Sequence, residues 1–176
     1  MAQAATVERP QIAVDEPKAD QTIALRKAFG TFATGVTVVT AQTPNGPIGM
    51  TANSFSSLSL DPPLVLWSVA KSSSRHDHFL NAEHFCINIL SSSQGDICKR
   101  FAKSGHDFEG LDWYRGRNNI PLINGALCNF ECETYALHEA GDHTLVIGRV
   151  AKFTRHEGGA PLCFSQGKFG EFSASA

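Results

Sequence analysis

Residues 49–63, with the sequence GMTANSFSSLSLDPP, restrict the possible fold of this chain more than any other segment. The final Asp61-Pro62-Pro63 forces an extended or turn conformation, and an apolar run, Leu-Val-Leu-Trp, follows at 64–67. The rest of the segment is dense in small residues and hydroxyls, which let a ligand approach the backbone and offer hydrogen bonds without charge. It is typical of a sheet that holds a large, flat heterocycle with polar edges. The alternative is a strand pair with one solvated face.

The composition indicates one globular domain. With 176 residues, 42% of them apolar and 18% charged, the chain is long enough for a hydrophobic core and is not of the disordered class. The net charge of −2 argues against a nucleic-acid partner, which would need a basic face, but allows a local basic pocket for a phosphate. No apolar run approaches the roughly 18 residues of a membrane span, so we expect no membrane contact.

The cysteines predict reduced thiols. Five are present, at Cys86, Cys98, Cys128, Cys132 and Cys163. Their odd number, with no CxxC pair and no signal peptide, points to the cytoplasm. Cys128 and Cys132, with His138 and His143 downstream, raise the alternative of a zinc site. Their alternating run is typical of a strand, in which residues four apart face the same side, so buried free thiols are the better interpretation and we predict no metal.

Secondary-structure signals run through most of the chain. Residues 1–20 lack periodicity and contain Pro10 and Pro17, so we predict a flexible N-terminal arm followed by one domain over 21–176. The patterns predict helices over 22–32, 74–80 and 93–102, and strands over 35–41, 48–54, 64–69, 83–90, 122–124, 127–139, 144–155 and 162–169. We also expect a hairpin turn at 43–46, an N-cap at Ser93, and an irregular excursion over 105–119.

Many strands and few short helices, without regular alternation, favour a closed antiparallel barrel over a doubly wound parallel sheet. The chain has no GxGxxG between a strand and a helix, which argues against a Rossmann dinucleotide-binding unit.

An ordered set of short motifs gives the chain a resemblance to a known family. FATGVTVVT at 32–40 precedes the 49–63 segment, and SSSR at 72–75, RFA at 100–102 and GDHT at 141–144 follow it. In this order and at these separations they resemble the flavin reductase family, whose members supply reduced flavin to two-component monooxygenases. The resemblance covers residues from about 25 to 169.

The resemblance implies a fold and an activity. The fold would be the flavin-binding split barrel, and the protein a homodimer. The activity would be hydride transfer from NADH or NADPH to N5 of FMN or FAD, for a partner flavin-dependent monooxygenase. No acid–base pair is needed, since hydride moves directly between the two rings and the protein supplies their geometry, so we expect no catalytic residue in the strict sense. The alternative is a flavin-carrying module without turnover.

The resemblance also implies residues for the flavin ring and its ribityl chain. They belong to one strand end, Met50, Thr51, Ala52, Asn53 and Ser54, and to the end of the buried strand that follows, Ser68, Val69 and Ala70. Asn53 precedes an apolar strand, which favours a ligand role over a turn residue bonded to its own backbone.

The flavin phosphate is expected at two further segments. Hydroxyls, cations and a helix start at 71–76 suit an anion, and the resemblance selects Ser74 and Arg75; ordinary N-capping by a serine is compatible with this role. The backbone of Arg100, Phe101 and Ala102 is implied at the same end. A helix C-terminus disfavours anions, which Arg100 would offset; the alternative is Phe101 in the core and Arg100 on the surface.

The resemblance further implies that the nicotinamide lies near His143, in the Gly-Asp-His turn before a strand. The alternative for a lone histidine is a structural or exposed role. Phe169, in the segment 167–169, is the next candidate for substrate contact. The sequence leaves open FMN against FAD and NADH against NADPH.

Overall fold

The computed structural model describes residues 21–174, so the arm predicted over 1–20 lies outside the described residues. Within that range the helices are α1 (Thr22–Phe29), α2 (His76–Leu80) and α3 (Gly95–Lys103). The strands are β1 (Thr34–Gly35), β2 (Thr37–Thr43), β3 (Gly46–Ala52), β4 (Ser56–Leu60), β5 (Pro63–Ala70), β6 (His84–Ile89), β7 (Trp113–Arg115), β8 (Pro121–Ile123), β9 (Cys128–Ala140), β10 (His143–Arg155), β11 (Leu162–Ser165) and β12 (Lys168–Glu171). Short 3-10 turns occupy Ser92–Gln94 and Arg117–Asn119.

Seven strands form the main sheet, in the order β3-β2-β6-β9-β10-β5-β4, and every neighbouring pair is antiparallel. A three-stranded sheet, β1-β11-β12, and a hairpin, β7-β8, complete the β structure of the described residues. The prediction of a mostly β chain with few short helices is confirmed.

The predicted closed barrel differs from the observed sheet, whose hydrogen-bond ladder ends at β3 and β4. No ladder joins these two edges within residues 21–174. A side chain bridges the gap instead, because Ser54 Oγ accepts from the Ser68 N–H at 3.0 Å and donates to the Ser68 carbonyl at 3.2 Å. Ser68 lies on β5, so the chain leaving β3 is tied to the other end of the sheet.

The sheet curls around a single main core. Met50 on β3 and Trp67 on β5, strands near opposite ends of the sheet, belong to one buried cluster with Ile87 on β6. The Trp67 ring packs edge-on against Phe79 of α2 at 5.1 Å between centroids and tilts against Phe85 at 6.2 Å. Side chains of strands this far apart in the ladder can share one core only if the sheet is strongly bent.

The β2–β3 hairpin forms where the Asn-Gly signal predicted it. Gly46 has φ 108°, and Thr43 Oγ1 donates to the Gly46 carbonyl at 2.8 Å. The glycine is needed because other residues rarely adopt this backbone conformation. The partner strand starts at Gly46 and ends at Ala52, two residues earlier than predicted.

Several other predicted elements also have different boundaries, and α1 ends at Phe29 and not at residue 32. The second helix begins at His76 and not at residue 74, and the third is preceded by Ser91, whose N–H donates to Gln94 Oε1 at 3.1 Å. Ser93 lies inside the 3-10 turn, so the predicted N-cap is wrong. The strand predicted over 162–169 is two strands, because Gln166 and Gly167 both have positive φ, 48° and 78°, and reverse the chain.

Candidate functional site

Strand β3 is held against α3 next to the candidate ligand segment. Thr51 Oγ1 donates to the Cys98 carbonyl at 2.6 Å, and the Gly49 N–H donates to the Gly105 carbonyl at 2.8 Å. Gly49 also lies under the Phe101 ring, where an added Cβ would approach ring carbon at 2.5 Å. This close contact sets the distance between α3 and the end of β3, and therefore the position of residues 51–54.

A crevice of about 180 Å³ opens where β3, α3 and the small sheet meet. It is lined by Val36, Thr51, Ala52, Asn53, Cys98, Ala102, Phe164 and Phe169. Five of the predicted site residues therefore come together: three of the ring segment, one of the phosphate segment and one of the substrate candidates. Val36, Cys98 and Phe164 were not predicted, because their positions depend on long-range packing that no local pattern shows.

Two predicted residues turn their side chains away from any ligand. Met50 and Val69 are buried in the main core, at 8% and 0% exposure, so only their backbone groups remain for a ligand. The Ser54 hydroxyl is bonded to the backbone N–H and carbonyl of Ser68, so these groups engage each other and not a ligand.

Arg75 joins the two predicted phosphate segments. Its guanidinium donates to the carbonyls of Phe101 at 2.5 Å, Gly49 at 3.3 Å and Ala102 at 3.4 Å. These include carbonyls of the last turn of α3, so Arg75 offsets the negative end of that helix dipole. Burial lowers the pKa of Arg75, but guanidinium stays charged at neutral pH.

Arg75, and not Arg100 as predicted, offsets the negative end of the α3 dipole. Arg100 Nη1 donates to the Glu109 carbonyl at 2.8 Å, and its Nε lies 3.8 Å from Asp107, so this side chain holds the following loop. Phe101 is fully buried, which confirms the core alternative for its side chain.

Ser74 is exposed beside this cluster, one residue before Arg75. The neighbouring Ser73 accepts the Arg75 N–H on its Oγ at 3.2 Å, but the N-cap of α2 is Arg75, which has no side-chain cap bond, so neither serine caps the helix as the alternative expected. Ser74 makes no such bond within residues 21–174, so its hydroxyl remains available to a ligand at this end.

His143 lies at the rim of the main sheet. Gly141, with φ 63°, makes the β9–β10 turn, and His143 Nδ1 lies 2.7 Å from Asp142 Oδ1. Hydrogen bonding to His143, together with its charge, lowers the pKa of Asp142. His143 pairs with Ala70, and the Lys71 N–H donates to the Asp142 carbonyl at 2.9 Å, so the turn is fixed next to the 68–71 segment.

The two substrate candidates lie in different places. Phe169 lines the crevice, whereas His143 does not line it and has no described contact with Phe169. Another histidine, His76, was not predicted as part of this rim. Its Nε2 lies 3.0 Å from Thr144 Oγ1, which ties α2 to the start of β10.

All five cysteines are free, and Cys86, Cys98 and Cys132 are buried. Burial raises the pKa of Cys132 to about 12, so this thiol stays protonated at neutral pH. Over residues 21–174, no group of three or more His, Cys, Asp or Glu side chains is placed to hold a metal ion.

None of the helices in the described range is long and apolar enough to cross a membrane.

The residues around the crevice fit a flavin. Thr51 and Asn53 offer neutral polar groups at a ring edge, and the Asn53 side chain has no hydrogen-bond partner within residues 21–174. Phe164 and Phe169, with centroids 5.2 Å apart, offer apolar faces. Arg75, beside Ala102, provides a cation with further N–H donors at one end, where a phosphate would lie.

Comparison with known proteins finds a family match over most of the chain. The family model described as "Flavin reductase like domain" matches residues 29–173. The chain belongs to this family.

Individual relatives of this flavin reductase family member cover much of its length. It is 52% identical over 167 residues to the FMN reductase (NADH) SmoA of Agrobacterium fabrum, covering 95% of each chain. It is 50% identical over 132 residues to the reductase component of the flavin-dependent trigonelline monooxygenase of Acinetobacter baylyi, which is 74% of this chain and 43% of that protein. Its fold matches NADH:FAD oxidoreductase SgcE6 of Streptomyces globisporus, in complex with NAD and FAD fragments, with a TM-score of 0.85 and 39% identity over 93% of this chain and 99% of the other.

Proposed function

We propose that this protein is an NADH-dependent flavin reductase that acts on FMN or FAD. The observation that carries the proposal is the crevice, which combines neutral polar groups and aromatic faces with an arginine beside Ala102. The relatives named above, an FMN reductase that uses NADH and an NADH:FAD oxidoreductase, support the reaction. When bound, the flavin supplies N5 as hydride acceptor and the nicotinamide supplies the hydride from C4.

Residues of this chain orient the two rings. The backbone of 50–54 and the Asn53 amide hold the ring edge, with Ser68, Val69 and Ala70 beside them. The phosphate lies against Ser74, Arg75 and the backbone of 100–102. His143 contacts the nicotinamide substrate, and Phe169, at the crevice, is the next candidate for that contact. Since hydride moves directly, these residues act by position and by excluding water.

The rival function is a flavin carrier without turnover, which would bind flavin through the same crevice. Steady-state oxidation of NADH, measured with riboflavin, FMN and FAD in turn, separates the two. A reductase consumes NADH in proportion to enzyme concentration with at least one flavin, and a carrier does not. The same assay with NADPH determines the donor preference, and riboflavin tests the contribution of the phosphate end.

The architecture we propose is a split barrel over residues 21–174, closed by side-chain bonds such as the one from Ser54 to Ser68 of β5. The shared core of Met50 and Trp67 supports the curvature this requires. We further propose a homodimer. Large apolar side chains remain exposed in the single chain, among them Leu60 at 94%, Phe153 at 63% and Tyr135 at 56%, and a two-fold interface would cover such residues.

The partner we propose is a flavin-dependent monooxygenase that receives the reduced flavin. The trigonelline monooxygenase reductase component supports this assignment. We assign the reaction to the cytoplasm, where the five free thiols stay reduced.

A further inference from the structure

A second, larger cavity lies between α1 and the β11–β12 turn. Its volume is about 620 Å³, and it is lined by Ile23, Arg26, Lys27, Gly30, Thr31, Phe164, Gln166 and Gly167. Small-molecule sites usually measure about 300–1,000 Å³, so the cavity has the size of a ligand site. Phe164 is the one residue that this cavity shares with the lining of the flavin crevice.

The cavity has a fixed frame. The Gly30 carbonyl at the end of α1 accepts the Gln166 N–H at 2.7 Å and the Ser165 hydroxyl at 3.4 Å. The helix is therefore held at its C-terminal end, while none of its residues is buried. One end is anchored to the turn and the rest of the helix stands over a cleft.

Two cations face this cleft. Arg26 and Lys27 lie in the last turn of α1, and neither forms an ion pair with a carboxylate within residues 21–174. Cations in a last turn offset the helix dipole, which explains their place in the sequence. The interaction with the dipole does not occupy the N–H donors of these two side chains. Free N–H donors beside a cavity suit an anion such as a diphosphate.

The cleft also offers apolar surface. Ile23, 74% exposed, lines it from the helix, and Phe164 lines it from β11. A planar base fits between an aliphatic and an aromatic side chain, since both present flat or apolar contacts. Basic donors and an apolar slot together match a nucleoside diphosphate.

The cleft adjoins the flavin crevice. Phe164 lines both cavities, and its ring contacts Phe169 of the crevice at 5.2 Å. A ligand with two linked halves would therefore extend from one cavity into the other. The proposed flavin phosphate residues lie elsewhere, on α3 and at Arg75, which favours the hydride donor over the flavin as the molecule that extends under α1.

We infer that this cleft binds the adenosine diphosphate half of a dinucleotide substrate, with Arg26 and Lys27 at the diphosphate. The inference rests on the proposed reductase function. NADH and FAD both carry this group, and each has a truncated partner without it, namely reduced nicotinamide mononucleotide and FMN. Comparing NADH with reduced nicotinamide mononucleotide, and FAD with FMN, shows which of the two dinucleotides occupies the cleft.

The test uses the double variant Arg26→Gln/Lys27→Gln. With FMN as acceptor, we expect kcat/KM for NADH to fall about tenfold or more, following the worth of hydrogen bonds to charged groups. The value for reduced nicotinamide mononucleotide should stay within about twofold, because that donor does not reach the cleft. Lys99→Gln, at an exposed lysine of α3 paired with Asp96, is the matched control.

Each outcome decides the inference. A selective loss with NADH assigns the cleft to the donor, and a selective loss with FAD, but not FMN, assigns it to the flavin. If wild type and variant have equal kcat/KM values for both donors and for both flavins, the inference is overturned while the reductase function stays intact. Direct binding of ADP by calorimetry is independent of turnover: we expect binding by the wild type that weakens about tenfold in the variant, and absent or unchanged binding contradicts the inference. A wild type that oxidises no NADH with any flavin refutes the proposed function instead.

Discussion

Asn53 is the residue on which the flavin-ring assignment depends most directly. Its side chain is exposed at the crevice and has no partner within residues 21–174, so its amide is available to a ligand. We predict that Asn53→Ala weakens flavin binding by about 1–3 kcal/mol, the usual penalty for losing hydrogen bonds at a partly buried site. Fluorescence quenching of the flavin measures the affinity.

The control for Asn53 is Asn45→Ala, at an exposed asparagine in the β2–β3 turn. It should leave flavin affinity unchanged. An unchanged affinity in Asn53→Ala with an intact circular-dichroism spectrum would remove the residue from the site.

His143 should matter to NADH more than to flavin. It stands at a turn beside Ala70, with one ring nitrogen bonded to Asp142 and the other free of described partners. We predict that His143→Ala lowers kcat/KM for NADH about tenfold or more, while the flavin Kd changes much less. His138→Ala, at an exposed histidine of β9, is the control.

The pattern of losses in His143→Ala distinguishes its roles. If kcat/KM and flavin affinity fall together, the histidine supports the rim of the sheet. If neither changes, the nicotinamide lies elsewhere, and Phe169, already at the crevice, becomes the leading candidate.

Among the elements, the junction of β3 and α3 depends on one guanidinium. Arg75 bonds three carbonyls on these two elements, which lysine with its single ammonium cannot reproduce. We predict that Arg75→Lys lowers the free energy of unfolding by about 1.5–3 kcal/mol and weakens flavin binding as well. Arg155→Lys, at an exposed arginine of β10, should change neither.

Denaturant titration and flavin binding measure the two effects of Arg75→Lys. A loss of flavin affinity at full stability would indicate that Arg75 serves the ligand alone. A loss of stability at full affinity would contradict its place at the phosphate.

Local signals predicted the elements whose ends are encoded locally. Asn45-Gly46 predicted the hairpin, because the turn needs the positive φ that Gly46 adopts, whereas α1 ends at Phe29, three residues before the predicted end, with Gly30 still in the right-handed helical conformation. The β11–β12 turn escaped prediction, since Gln166 adopts a positive φ that glutamine rarely has. Strand β4 lies in the 49–63 segment, where only the alternative of a strand pair with a solvated face allowed for it, and its Leu58 and Leu60 are indeed exposed.

At the scale of the whole molecule, the ordered motifs predicted the family but not the full site. The crevice depends on Phe164, which β11 brings beside Thr34 of β1 across most of the chain. No local pattern encodes such a pairing. The closed barrel was predicted from the many strands, the few short helices without regular alternation and the family resemblance, and none of these specifies whether a ladder forms between β3 and β4.

The exposed apolar side chains lead to a prediction about assembly. Leu60, Tyr135 and Phe153 are costly to leave in water, so we expect a homodimer at micromolar concentration. Light scattering coupled to size exclusion gives the mass directly. A mass of one chain under these conditions would contradict the dimer without bearing on the reductase activity.

The central claim is that this chain transfers hydride from NADH to a flavin. Anaerobic mixing of NADH with FMN or FAD and a catalytic amount of protein tests it most directly, because oxygen cannot reoxidise the product. We predict that the visible absorbance of the flavin bleaches in step with loss of NADH, one molecule for one. We also predict that deuterium at the transferred C4 position of NADH slows the bleaching when hydride transfer limits the rate. A protein that binds flavin but leaves the absorbance of both flavins unchanged in the presence of NADH would contradict the claim.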